Sequence, residues 1–226
     1  MAKQKLIRFE ENEKFDRLFQ PNAKRLLQQP HEFRGKWGEK VFNNDNPIVL
    51  ELGCGRGEYT VGLAKLQPDH NFIGIDIKGS RLFHGVKAVT DENLDNAVFI
   101  RTLADFVDAI FEFEISQIWI TFPDPFEGKD RRKLTAPGFL AKYQKILMPN
   151  GQITLKTDDA GIYEFTLDLV EKYNLPVLIN TNDLYGSGQA DALPPIQTAY
   201  ENKFLAMGKK IHLLRFGLTD QAVAFQ

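Results

Sequence analysis

A chain of 226 residues, 43% hydrophobic and 26% charged, has room for one globular domain and is large enough to bury a core without staples. Its single cysteine, Cys54, excludes an internal disulfide and suits a reducing compartment. No run approaches the roughly 20 apolar residues of a membrane span, and the opening MAKQKLIRFEENEKF lacks the continuous apolar stretch of a secretory signal. These features point to a cytoplasmic protein with no membrane partner. The net charge of −2 is unevenly spread, with ten Lys/Arg against six Asp/Glu in residues 1–40 and a second basic cluster at Lys129, Arg131, Arg132 and Lys133. Such surfaces can meet phosphates, although clustered cations are more often simply solvated.

Residues 1–46 read as an irregular, basic N-terminal arm with one short helix around Phe15–Leu27, followed by a domain over 47–226. PIVLELG begins the regular alternation as a nearly continuous apolar strand, and a glycine turn leads into a helix near Glu58–Leu66. NFIGID, a helix with Leu82, Val86 and Val89 on one face, AVFIR, a short helix Ala104–Phe111 and ISQIWITF follow. A Pro-rich loop precedes a helix started by Thr135 and Pro137, carrying Phe139, Leu140, Tyr143, Ile146 and Leu147 on its apolar side and stopped by Pro149-Asn150-Gly151. GQITLKT is a fifth strand, and Asp158 or Asp159 can cap the next helix. PVLIN and IHLLRFG are late strands separated by the Gly/Pro-rich stretch Asn182–Pro195. Strands alternating with helices in this way predict an α/β, Rossmann-like doubly wound fold. Its mostly parallel seven-stranded sheet has helices on both faces and a ligand site at the strand C-termini.

Glu51-Leu52-Gly53-Cys54-Gly55-Arg56-Gly57 closes the first of these strands, and Asp76 ends the second, where an acid can accept from ribose hydroxyls. A dinucleotide fingerprint needs a small residue where this chain has Glu58, whose carboxylate at a helix start opposes a pyrophosphate. Glu51 is equally odd beside phosphate but suits a cation. S-adenosylmethionine carries a sulfonium and an ammonium and no phosphate, so the charge pattern selects the methyl donor as cofactor. The four histidines form no constellation, and no metal-ligand spacing appears.

Asn44-Asp45-Asn46-Pro47-Ile48 before Glu51–Gly57 resembles class I methyltransferases. With Phe122-Pro123-Asp124-Pro125, Arg131–Thr135, Lys156-Thr157-Asp158 and Thr198-Ala199-Tyr200-Glu201 in order, the chain from about Arg34 to Phe216 resembles the tRNA (guanine-N7-)-methyltransferase family. The resemblance implies transfer of a methyl group to the N-7 of a variable-loop guanosine in tRNA. That nitrogen bears a lone pair and no proton, so no general base is needed, and the work is alignment and negative charge beside a developing cation.

By this resemblance Asp124 is the active-site residue, near both donor and guanine, although Asp-Pro is also a plain turn signal. Glu51, Gly53, Gly55 and Asp76 would serve the donor. Asp158, Thr198 and Glu201 would serve the guanine, although Glu201 alone would read as a surface helix residue. Lys129, with Arg131 and Arg132, would meet tRNA phosphates. Two departures stand out: Phe126-Glu127-Gly128-Lys129 replaces the family's Trp-Pro-Lys-Lys, and Leu103-Ala104 replaces its Asp-Ala. Either Asp105 takes over the adenine contact, or adenine is held by backbone and apolar contacts. An exocyclic-amino methyltransferase on another RNA and a non-catalytic RNA-binding module on the same scaffold remain as alternatives. The oligomeric state, monomer or homodimer, is open.

Overall fold

The computed structural model describes residue 8, residues 11–218 and residues 224–225; the rest of the expected basic arm lies outside the described residues. Among them runs one eight-stranded sheet in the order β1-β4-β3-β2-β5-β6-β8-β7. Its strands are β1 (Leu18–Phe19), β2 (Ile48–Leu52), β3 (Asn71–Asp76), β4 (Ala97–Arg101), β5 (Ile115–Thr121), β6 (Leu147–Thr157), β7 (Val177–Thr181) and β8 (His212–Gly217). All neighbouring pairs are parallel except those of β8 with β6 and with β7. The seven expected strands are present, and the eighth is the two-residue β1 at the edge.

Residues alternate across the sheet to feed two apolar layers, as the pleat requires. Leu50, Ile73, Ile75, Val98 and Ile100 face one layer with Val107, Ile110, Phe139, Tyr143 and Val170. Val49, Phe72, Ala97 and Phe99 face the other with Tyr59, Leu63, Leu82 and Val86. Accordingly α4 (Val107–Ile110), α5 (Pro137–Ile146) and α6 (Ala160–Lys172) supply the first layer, and α2 (Glu58–Leu66) and α3 (Gly79–Asp91) the second. Strands covered on both faces have no polar side to show, which is why all five residues of β2 are buried.

The single helix expected over Phe15–Leu27 is not formed. Leu18 and Phe19 pair instead with Phe99 and Ile100 of β4. Pro21 and Asn22 then break the chain, and the Asn22 side chain caps the one-turn helix α1 (Ala23–Leu26) by accepting from the amides of Lys24 and Arg25. Trp37, in the segment read as an arm, is fully buried and donates its indole N–H to Ile110 O at 3.0 Å. Helix α5 ends at Ile146, before the expected Pro-Asn-Gly stop, because Leu147 already pairs with Ile115.

From β2 the chain winds outward through β3 to β4, then crosses back to place β5 on the other side of β2. The adjacent C-terminal ends of β2 and β5 are therefore the point where the winding reverses, and an open cleft forms there.

Candidate active site

The turn after β2 is shaped by three glycines with left-handed φ: Gly53 at 72°, Gly55 at 57° and Gly57 at 74°. Gly57 is also pressed from outside, since a Cβ there would lie 2.6 Å from the Phe99 ring. Gly53 and Cys54 donate their amides to Ile75 O at 2.8 and 3.0 Å. Asp76, at the end of β3, braces the turn by accepting from Gly55 N at 3.0 Å with one carboxylate oxygen and from Lys78 N at 2.7 Å with the other.

The cleft beyond this turn encloses about 750 Å³ and is lined by Glu51, Gly53, Gly55, Asp124, Asp158 and Thr198, among others. Residues from four separate segments thus meet as the order of motifs implied. Asp76, Asp105, Lys129 and Glu201 are not among the residues that line the cleft. Asp105 sits exposed in a 3₁₀ turn after β4, two strands away from β2.

Glu51 is a buried acid, 3% exposed. Its Oε1 accepts from the Thr121 hydroxyl at 2.6 Å, and its Oε2 accepts from Thr60 N at 2.9 Å and from the Thr60 hydroxyl. Burial pushes its pKa up to about 7; the Thr121 and Thr60 hydrogen bonds oppose this rise and the nearby Asp76 charge adds to it. None of the ion pairs among the described residues uses Glu51. A fixed carboxylate without a counter-charge at the floor of a cleft is suited to a cation.

Asp124 is exposed between two prolines in the loop after β5. That loop is held by Phe122 N, which donates to Lys156 O at 2.8 Å, and Phe122 itself takes a left-handed φ of 48°. Of the two aspartates after β6, Asp159 is the helix cap, accepting from Ile162 N at 2.8 Å. Asp158 is left to the cleft, where it pairs with Lys209 at 2.5 Å.

Thr198 caps α7 (Ala199–Ala206), accepting from Glu201 N at 3.2 Å. Glu58 accepts from Ala199 N at 2.7 Å, so the first residue of α2 holds the first amide of α7 from across the cleft. The plain reading of Glu201 as a surface residue fails: it is fully buried. One oxygen pairs with Lys156 Nζ at 2.7 Å and accepts from the Tyr185 hydroxyl at 2.6 Å; the other, Oε2, has no partner among the described residues. Lys156 is itself 2% exposed, and burial lowers its pKa against the pull of Glu201. The only sequence signal for this pair was a lysine inside the apolar strand GQITLKT.

The basic loop is smaller than its composition suggests. Lys133 is 8% exposed, pairs with Asp130 at 2.8 Å and lies 4.1 Å from the centre of the Phe165 ring, because its aliphatic stem packs inward while its ammonium finds these partners. Lys129, Arg131 and Arg132 remain exposed. Among the described residues no group of acids, histidines or cysteines could hold a metal ion.

Residues 45–214 match a family model described as "Putative methyltransferase". The chain is 46% identical over 219 residues to the tRNA (guanine-N(7)-)-methyltransferase of Christiangramia forsetii, covering 95% of this chain and 98% of the relative. It is 48% identical to that of Porphyromonas gingivalis, covering 92% and 87%. Among solved structures, the 16S rRNA methyltransferase KamB superposes with a TM-score of 0.60 at 12% identity, over 84% of this chain and 95% of that one. A 16S rRNA (adenine-N(1))-methyltransferase variant from Catenulisporales acidiphilia, solved with its cosubstrate SAM, gives 0.58 at 14% identity, over 81% and 91%. At such identities the structural likeness establishes the fold alone.

Proposed function

The chain belongs to the tRNA (guanine-N(7)-)-methyltransferase family, and from that premise we propose that its cleft aligns the N-7 of a variable-loop guanosine for in-line methyl transfer without a general base. It is an S-adenosylmethionine-dependent enzyme acting on guanine in tRNA. When bound, the donor supplies a methyl group on a positively charged sulfonium. The residues present fit that group: a buried acid without a counter-charge, glycine backbone open to close approach, and an acid at the end of β3.

In this reading Glu51 offsets the donor's positive charge and Gly53 and Gly55 let it reach the backbone. Asp76 accepts from the ribose hydroxyls with lone pairs left over from the turn. Adenine is met either by Asp105, in the turn after β4, or by backbone and apolar contacts. Asp124 lies beside the reacting atoms and stabilises the positive charge that appears on the purine. Asp158 and Thr198 orient the base, and the unpartnered Oε2 of Glu201 accepts from the guanine N1–H and amino group. Lys129 meets a tRNA phosphate outside the cleft. The lone Cys54 and a tRNA substrate fit a cytoplasmic site of action, and no helix among the described residues is long and apolar enough to cross a membrane.

The observation that carries this reading is the buried, uncompensated Glu51 carboxylate in the same cleft as Asp124, Asp158 and Thr198. Labelled methyl groups are expected to enter unmodified tRNA, with borohydride and aniline then cleaving the strand at the variable-loop guanosine. Incorporation without cleavage there would reassign the methylated atom. Asp124→Ala is expected to fold normally and to lose about 100- to 1000-fold in kcat, the scale of one electrostatic interaction removed from a transition state. A fully active variant would remove Asp124 from the chemistry.

A further inference from the structure

The cleft is electrically divided. The acids Glu51, Asp124, Asp158 and Asp159 line it together with Lys203 and Lys209, whereas Arg8, Arg56, Arg81 and His84 line it from other segments, with Glu58 among them. These cations come from the N-terminal segment, the glycine turn and α3. The N-terminal segment is anchored there: Asn12, 1% exposed, donates its side-chain amide to Gly79 O at 2.9 Å. The Phe15 ring lies 5.9 Å from that of Phe83, and the Arg8 guanidinium sits 5.6 Å above the Phe83 ring. His84 is made less basic by burial first and then by the charges of Arg8 and Arg56, with Glu58 opposing, so these groups are close enough to act on one another.

Of the two lysines that line the cleft, Lys209 pairs with Asp158. No ion pair among the described residues uses Arg8, Arg56 or Arg81. Glu58 also lines the cleft, where one of its oxygens is taken by Ala199 N; three guanidinium charges without an ion-pair partner around it still cost repulsion, and a polyanion relieves it.

We propose that Arg8, Arg56 and Arg81 form a phosphate clamp for the tRNA backbone next to the target guanosine, separate from the loop carrying Lys129, Arg131 and Arg132. The clamp rests on the tRNA reading above and gives it a direction. The acids repel phosphate and attract a ring gaining positive charge, so the base enters toward Asp124 while its backbone lies along the arginines. Guanidinium forks suit phosphate oxygens, and three of them from three segments exceed what a single donor carboxylate requires.

The test uses the full chain, unmodified tRNA and the double variant Arg56→Ala/Arg81→Ala, with Arg8→Ala and Arg56→Lys/Arg81→Lys alongside. Affinity for tRNA is measured against salt, and S-adenosylhomocysteine binding is measured by calorimetry. For every phosphate that is no longer neutralised, the slope of log affinity against log salt is expected to become shallower by about 0.7–0.9. The double alanine variant should lose about tenfold in tRNA affinity at low salt, the lysine variant should keep the wild-type slope, and S-adenosylhomocysteine affinity should not change in any of them. A wild-type slope in the double alanine variant overturns the clamp. So does a fall in S-adenosylhomocysteine affinity with tRNA binding intact, which would assign the arginines to the donor's carboxylate. Loss of the tRNA reading is distinct from both, because there the wild-type protein itself would transfer no methyl to tRNA.

Discussion

On the side of the cleft proposed for the donor, Glu51, the glycine turn and Asp76 come from two successive strands, and the turn is braced by Ile75 O and the Asp76 carboxylate. On the side proposed for guanine, Asp124, Asp158, Thr198 and Glu201 follow three different strands. A buried ion pair, Lys156 with Glu201, joins β6 to α7 there. The first side is held by conformation: left-handed glycines and amides satisfied by the end of β3. The second is held by charge in a region of low dielectric. The two should therefore fail differently when disturbed, and they are tied where Glu58 at the start of α2 accepts from Ala199 N.

The largest effect is expected from Lys156→Ala, which strands Glu201 as an unpaired buried charge and should destabilise the protein by about 3–5 kcal/mol. Replacing both partners, Lys156→Met with Glu201→Leu, should recover most of that stability in denaturant melts while leaving methylation of tRNA abolished. If the double variant methylates tRNA normally, the pair is scaffolding only. On the donor side, Gly57→Ala combines a left-handed φ with a methyl 2.6 Å from the Phe99 ring, and about 2–4 kcal/mol of destabilisation follows. Its defect should be in donor affinity as well as stability, and a variant that binds S-adenosylhomocysteine normally would contradict a turn held rigid by conformation.

The smallest effect is electrostatic and confined to Glu51. Its pKa rises from 4.5 to about 7 on folding, so the protonated form is favoured in the native state. That contribution is fully present below about pH 4.5 and is lost as pH climbs through 7. Between pH 5 and 8 the unliganded wild type should lose about 2 kcal/mol relative to Glu51→Gln, read from paired thermal melts. Binding of the cationic donor near pH 6 should release a proton, detected as a binding heat that varies with buffer, and Glu51→Gln should release none. Parallel melting curves and buffer-independent heats would show that Glu51 is already ionised before the donor arrives.

The donor side was legible because its signals are local. Glycines at fixed offsets after an apolar strand, and an acid closing the next strand, state a backbone geometry that needs few long-range partners. The same locality made the main strands and the helices behind β2 and β3 readable. Where a distant partner decided the outcome, sequence reasoning missed. Leu18 and Phe19 left a helical pattern to pair with β4, and Lys133 left a basic loop for the Phe165 ring of α6.

Composition, periodicity and motif order by themselves determined the doubly wound sheet and the glycine turn flanked by Glu51 and Asp76. Periodicity dictates which face of each strand or helix must leave water, and glycine alone tolerates the turn's dihedrals. Only the tertiary structure decided that Glu201 is buried against Lys156, that Asp159 and not Asp158 caps α6, and that Arg8, Arg56 and Arg81 line one cleft. A charge has no preferred environment in a linear chain; its role is set by what packing brings within a few ångströms and by how much water packing removes.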